Sequence, residues 1–346
     1  MPADLKTLIE EKKLIVKNPY VFTSFFHSLA ENYMLFNKAS NGCIVYNIGK
    51  DLATQAKMTE GDFQETIFWK RQQMIFDRDP YKQKEVDTIK LQQDSTMTVK
   101  YERRLGPLEW DPSSFGVQGY TSEAEYSTVF GRMAAEEEFQ NKLERAIGAF
   151  TGATQNVPEL NISAGEVSWE AFVDGLAAFG DQYQRIKCWV MHSKHFFQLM
   201  KGNIKNANNL FIFGTVKVMQ DPIAFAPIII SDNKSLEDGG ILGLTDGAVS
   251  IIDDGYYKDT WLEMPGYENI RTLYQAEWNS ILGVKGYKYK AEDANKAPPI
   301  DKTSDKAMWE KIDDNPKNMG GVIIKVGGGG GGSKSEAKAE KAAPKE

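Results

Sequence analysis

Apolar residues recur at helical spacing over one long stretch, Thr121 to Phe150, TSEAEYSTVFGRMAAEEEFQNKLERAIGAF. Tyr126, Val129, Phe130 and Met133 form one stripe; Phe139, Leu143, Ile147 and Phe150 form another. That period lays side chains along one face of an α-helix. Ala, Glu, Lys, Arg and Leu fill the body, all good helix formers. Thr121 or Ser122 can cap the first turn, and Glu123 and Glu125 set negative charge where the helix dipole is positive. The acidic run Glu136-Glu137-Glu138 lies between the stripes, so the two halves of the helix present faces to different neighbours. The pattern predicts one long helix over 121–150.

Elsewhere the periods are shorter. Leu5, Leu8, Ile9 and Leu14 suggest an amphipathic arm that Asn18-Pro19 stops. Phe22, Phe25, Phe26, Tyr33 and Phe36 precede CIVYNIG, which reads as a strand. Between residues 60 and 110 apolar positions thin out. Ile89 and Leu91 alternate with polar residues, then Met97, Val99 and Tyr101 do so across Gln92-Gln93-Asp94-Ser95, which predicts a β-hairpin tipped at those four residues. A two-stranded ribbon with one modestly apolar face has little core of its own. After the long helix, Trp169 to Phe179 reads as a helix, Ile186 to Met191 as a buried strand, and SKHFFQLMKGNI as a helix capped by Ser193. FIFGTVKVM and APIIISDN each read as a strand, and ILGLTDGAVSIIDDG as strand-turn-strand about Asp246-Gly247. RTLYQAEWNSILGVKGYKYK predicts a strand pair, SDKAMWEKI a short helix and MGGVIIKV a last strand. Gly327–Gly332 and the Lys/Ala/Glu tail beyond have the composition of a solvated linker.

Composition narrows the class. With 346 residues, 41% hydrophobic and 26% charged, the chain can bury a sizeable core. A net charge of −7 argues against a surface that grips nucleic acid as a whole. The two cysteines, Cys43 and Cys188, sit among apolar residues and read as buried free thiols. No run is apolar enough to cross a bilayer, and the N-terminus has no secretory pattern.

Catalytic signatures are missing. His192 and His195 have a metal-compatible spacing without a third ligand, so a capping or hydrogen-bonded pair is the reading. Asp253-Asp254 and Glu136 to Glu138 read as solvated carboxylate faces. The glycine run is not a dinucleotide fingerprint, and neither a phosphate loop nor a nucleophile elbow occurs. The basic pairs Lys70-Arg71 and Arg103-Arg104 suit contacts between subunits. Extended segments that cannot complete themselves, without catalytic residues, suggest a chain completed by assembly.

The order of parts resembles the major capsid proteins of tailed bacteriophages, with the Hong Kong 97-type fold. GPLEWDPSSFGVQGY followed by EAEYSTVFGRMAAEEEFQNKLERAIGAF resembles the approach to that family's spine helix. LAAFGDQYQRIKCWVMHSKHFFQLMKGNI and GTVKVMQDPIAFAPIIISDN resemble its A-domain, and YQAEWNSILGVKGYKYK with Trp309 its closing elements. The resemblance implies an α+β fold: N-terminal arm and first P-domain segment over 1–54, E-loop hairpin over 55–108, P-domain with the spine helix over 109–160. It further implies an α/β A-domain over 161–268, closing P-domain strands and short helix over 269–326, and the tail over 327–346. It implies pentamers and hexamers closing into an icosahedral shell around double-stranded DNA, which the protein touches weakly and without sequence preference. It also implies a portal, a separate scaffolding protein, a place for decoration proteins, synthesis in the host cytoplasm, and neither membrane, cofactor, metal nor catalysis. Lys70, Arg71, Gln92, Gln93, Asp94, Arg103, Arg104, Glu136 and Glu137 are the candidate inter-subunit residues. A nanocompartment shell of the same fold and a soluble α/β enzyme are the rival readings.

Overall fold

The computed structural model describes residues 19–48, 61–69, 81, 88–113, 123–202, 210–213, 216–220, 226–237, 239–266, 268–313 and 315–327. The expected arm helix, the Thr121 or Ser122 cap, Lys70, Arg71 and the tail lie outside them. Two helices, two large sheets and a small ribbon organise the rest.

Helix α1 spans Pro19–Ala39. Pro19, expected from sequence to stop the preceding arm, is the first residue of this helix. That position costs nothing, because an N1 amide has no intrahelical partner and the ring presets φ. Val21, Phe25, Leu29, Tyr33 and Phe36, spaced by four and three residues, are all buried. Strand β1, Ile44–Ile48, follows after a tight turn in which Asn41 and Gly42 adopt positive φ.

The five-stranded sheet has the order β1-β10-β11-β3-β2. Its members are β2 (Phe63–Trp69), β3 (Gln93–Trp110), β10 (Val249–Met264) and β11 (Arg271–Val284). The tip expected at Gln92 to Ser95 is not a turn: Gln93 and Asp94 lie in β3 opposite Trp69 and Phe68 of β2. The ribbon's arms are therefore β2 and the start of β3, and the chain between them is longer than the alternation suggested. Polar residues at a strand end carry the same local signal as a turn, and only the cross-strand partner separates the two.

Helix α2 spans Glu123–Thr154 and lies against α1 and the inner face of this sheet. Its second stripe, Phe139, Leu143, Ile147 and Phe150, is buried. Its first is not a uniform core face: Phe130 packs on Trp110 at 5.6 Å between ring centroids, while Met133 is 61% exposed. Gly131 lets α1 approach, since a Cβ there would stand 1.9 Å from Ser24 Oγ and 2.8 Å from the Val21 carbonyl oxygen.

The seven-stranded sheet has the order β4-β14-β9-β5-β8-β7-β6. These are β4 (Asn161–Ala164), β5 (Ile186–Met191), β6 (Leu210–Phe213), β7 (Val216–Gln220), β8 (Pro227–Ile230), β9 (Gly240–Thr245) and β14 (Gly321–Val326). FIFGTVKVM is two antiparallel strands, β6 and β7, where one was expected. Helix α3, Trp169–Ala177, is capped by Ser168 and packs Phe172 on Trp189 of β5 at 4.9 Å between ring centroids. Helix α4, Ser193–Gly202, follows β5, and the one-turn α5, Lys234–Glu237, follows β8. His192 Nδ1 accepts the Lys194 amide at 3.1 Å, which makes it a cap for α4.

The turn at Asp246-Gly247 is present, with Gly247 at φ 62°, but it does not make a hairpin. Strand β9 belongs to the seven-stranded sheet and β10 to the five-stranded one, so the chain changes sheets there. The pairings cut across the expected segment boundaries. Strand β10, inside 161–268, pairs with β1 and β11, whereas β14, inside 269–326, pairs with β4 and β9. The expected short helix at SDKAMWEKI is a 3-10 turn, Lys306–Met308, running into strand β13, Trp309–Lys311. β13 pairs with β12, Tyr287–Tyr289, which seats Trp309 on Tyr289 at 5.1 Å. A one-turn helix α6, Ile300–Thr303, precedes it, and its Thr303 carbonyl accepts the Trp309 indole N–H at 2.8 Å.

Candidate assembly interface

Strand alternation decides which of the candidate charges reach outward. Val99, Tyr101 and Arg103 of β3 share the face that meets α2, because side chains two apart point the same way. Arg103 Nε donates to Glu138 Oε2 at 2.9 Å, so this arginine is engaged within its own chain. Arg104, one residue on, points to the other face and is exposed. It lines a shallow polar groove with Glu102, Tyr256, Glu277 and Asn279.

The acidic run divides in the same way. Glu136 and Glu137 are exposed, while Glu138 is buried and accepts Arg103 on one oxygen and the Trp278 indole N–H, at 3.0 Å, on the other. One helical turn on, Lys142 is 1% exposed. Its ammonium donates to Asp253 and, at 2.6 Å, to the Tyr33 hydroxyl, and lies 3.6 Å from Glu138. Ser280 Oγ donates to Asp253 Oδ1 at 2.7 Å. Two cations and two carboxylates thus close a neutral set joining α1, α2, β3, β10 and β11. Burial pulls the Lys142 ammonium toward its neutral form, but Asp253 and then Glu138 outweigh it and hold its pKa above the ordinary lysine value. Asp254 pairs with Lys100 on the opposite face at 2.8 Å. The Asp253-Asp254 pair, read as a solvated face, is internal on both sides of its strand. The period-2 series Val249, Ile251, Asp253 was the available signal, and the two adjacent carboxylates masked it.

The ribbon of β2 and the start of β3 carries exposed apolar side chains. Gln93 to Thr98 pair with β2, beyond the reach of β11, whose pairing ends at Val99. Thr96 Oγ1 donates to the Tyr287 carbonyl at 3.3 Å, and Phe63 stacks on Tyr289 at 6.3 Å, so the ribbon is anchored at its base. Farther out, Ile67 (64%), Leu91 (61%) and Ile89 are exposed, with Gln92 and Gln93 beside them. Met133 on α2 and Met34 on α1 add exposed apolar area on the helices. The arrangement offers a surface to be covered. Among the described residues no cluster of His, Cys, Asp and Glu could hold a metal, and no helix is long and apolar enough to cross a membrane.

Over residues 13–323 the chain matches the family described as major capsid protein 13-like. No curated protein matches it in sequence. Among solved structures it is similar to the capsid of the cyanophage P-SCSP1u, at 10% identity and a TM-score of 0.45, over 83% of this chain and 87% of that one. It is similar to the mature capsid of bacteriophage PhiM1, at 10% identity and 0.44, over 82% and 86%. It is also similar to the capsid of an empty GTA particle, at 14% identity and 0.44, over 65% and 82%. With most of its length inside the family, this α+β chain belongs to the major capsid protein 13-like family, structural proteins of the phage virion capsid.

Proposed function

We propose that the chain self-assembles as pentamers and hexamers into an icosahedral Hong Kong 97-type shell around phage double-stranded DNA, and that it catalyses no reaction. The observation that carries this reading is the β2–β3 ribbon, which leaves the body with exposed apolar residues in a chain of capsid family. A ribbon of this kind gains stability only when a neighbouring subunit covers it. Arg104, Gln92, Gln93, Glu136 and Glu137, all exposed, serve as contacts with neighbours, and Lys70 and Arg71 are assigned the same role from sequence. Asp94 and Arg103, both partly buried, are assigned the same role, Arg103 with its guanidinium also bonded to Glu138. A portal and a separate scaffolding protein complete the shell, and decoration proteins are further candidates for its outer face. The net charge of −7 keeps contact with packaged DNA weak. The protein is made in the host cytoplasm.

The test is sedimentation and negative-stain microscopy of the purified chain, alone and with its scaffolding protein, beside a variant in which residues 70–92 are replaced by a two-residue turn. Shells or capsomer rings from the parent, and only monomers from a folded variant, are the expected result. A parent that stays monomeric under every condition overturns the reading.

A further inference from the structure

Cys43 and Cys188 come from different sheets and share Leu244 as a neighbour. Cys43 directly precedes β1 in the five-stranded sheet, and Cys188 lies within β5 of the seven-stranded one. Both are free thiols and both are 0% exposed. The Cys43 thiol donates to the Leu244 carbonyl at 3.5 Å, and Leu244 is the register partner of Cys188 across β9 and β5. Leu244 is thus a shared neighbour, touched by the Cys43 thiol and paired across the strands with Cys188. Asn41 Nδ2 donates to the Lys187 carbonyl at 3.2 Å, which ties the turn ahead of Cys43 to the residue ahead of Cys188. Close by, the Gly247 amide donates to the Gly42 carbonyl at 2.9 Å, at the point where the chain crosses between sheets. No shell contact or catalytic step calls for a thiol pair at this junction.

We propose that Cys43 and Cys188 form an intramolecular disulfide that joins the five-stranded sheet to the seven-stranded sheet when the protein meets an oxidising medium. The timing rests on the capsid reading: a chain made in a reducing cytoplasm keeps its thiols, and a released particle no longer does. The oxidant is a small-molecule disulfide of the oxidised glutathione class. One cysteine thiolate attacks a sulfur of that disulfide, forming a mixed disulfide and expelling one small thiol. The other cysteine thiolate then attacks the protein sulfur of the mixed disulfide and expels the second small thiol. Two S–H bonds are lost and one protein S–S bond is gained. The protein gives up two electrons and two protons, and the oxidant becomes two thiols. The bond requires the two sulfurs to come to about 2.05 Å of each other.

Burial sets the pace. It raises the Cys188 thiol well above its ordinary value, and the neighbouring Cys43 thiol adds to the effect, so the closed junction holds little thiolate. Oxidation therefore requires the two sheets to part at this point, and the bond then records that they did. Because it closes a very long loop, it stabilises the chain chiefly by restricting the unfolded state.

The experiment treats the full-length protein, as subunits and as assembled particles, with oxidised glutathione at pH 8.5. Unreacted thiols are then alkylated in denaturant, and non-reducing peptide mapping follows. The expected result is a Cys43–Cys188 linked peptide, 2 Da lighter than its parts, with a melting temperature raised by roughly 5 °C that dithiothreitol reverses. Cys43→Ala and Cys188→Ala should each abolish both effects. Full alkylation of both thiols after prolonged oxidation overturns the proposal, as does a linkage only between chains. The peptide map of the parent protein decides even if the variants fail to fold. A chain that cross-links but forms no shell sinks the assembly reading and leaves this one standing.

Discussion

At position 142 a lysine occupies a place where the helix pattern asks for an apolar side chain. Its neighbours Phe139 and Leu143 are core, and Lys142 itself is 1% exposed. A buried cation is tolerable only when its counter-charges are fixed around it, and Asp253, Glu138 and the Tyr33 hydroxyl provide that. Lys142→Met leaves two carboxylates facing an apolar stem. It should lower unfolding stability by about 3–5 kcal/mol in a denaturant titration. A double-mutant cycle with Asp253→Asn should return a coupling above about 1 kcal/mol, and additivity would show that the pair does not act as a unit. Titration makes a second prediction. Tyr101 is buried, which raises its phenol from 10.0 to about 12, with Lys142 opposing and Glu138 adding to the shift. The folded chain keeps that proton while the unfolded chain loses it. The associated stability is complete below pH 10 and is lost as pH rises through about 12. Tyr289 is raised to about 12 by burial and acts in the same window. The Lys142 ammonium, held above 10.5, works in the same direction. Melting temperature should therefore fall steeply above pH 10, with tyrosine absorbance near 295 nm rising in step with unfolding. Phenols ionising well before the chain unfolds would contradict this.

Among the elements, helix α2 shows how small residues set distances. Alanine is the better helix former, so Gly→Ala in an open helix interior gains up to about 1 kcal/mol. The sign should reverse here. A Cβ at Gly131 would press on Ser24 and the Val21 carbonyl, and one at Gly152 would stand 2.4 Å from the Ser304 carbonyl oxygen. Gly131→Ala and Gly152→Ala should each cost about 1–3 kcal/mol, read as a lower denaturation midpoint with an unchanged slope. An increase in stability would mean that α1 and the chain after α6 do not sit this close. The ribbon behaves in the opposite way. Its described outer residues Ile67, Ile89 and Leu91 are exposed, so replacing residues 70–92 by a short turn should leave the melting temperature of the isolated subunit within about 2 °C of the parent. The same change should abolish shells in sedimentation. A large loss of subunit stability would show that the ribbon is part of the core.

In the whole molecule, two sheets of different composition share one interior, and the chain passes between them at Asp246 to Ala248. Much of this was legible beforehand. The second stripe of α2, the strand Ile186 to Met191, the helix from Trp169 and the turn at Asp246-Gly247 are each fixed by local period or turn chemistry. So was the kind of protein, because the order of these elements marks the capsid family even though no catalytic motif does. Local pattern also misled. Gln93-Asp94 extends a strand, and Trp309 sits in a strand rather than a helix. In each case the residue's own preference is nearly balanced, and distant partners tip it. Sequence by itself determined which segments are periodic and how apolar each face is, since backbone geometry and side-chain chemistry are local properties. Tertiary structure alone decided that β9 and β10 part into different sheets, that Glu138 turns inward while Glu136 and Glu137 stay in water, and that Cys43 and Cys188 come to share Leu244 as a neighbour. Those outcomes depend on which buried charges, thiols and strand edges find partners across the fold, and no window along the chain contains both members of such a pair.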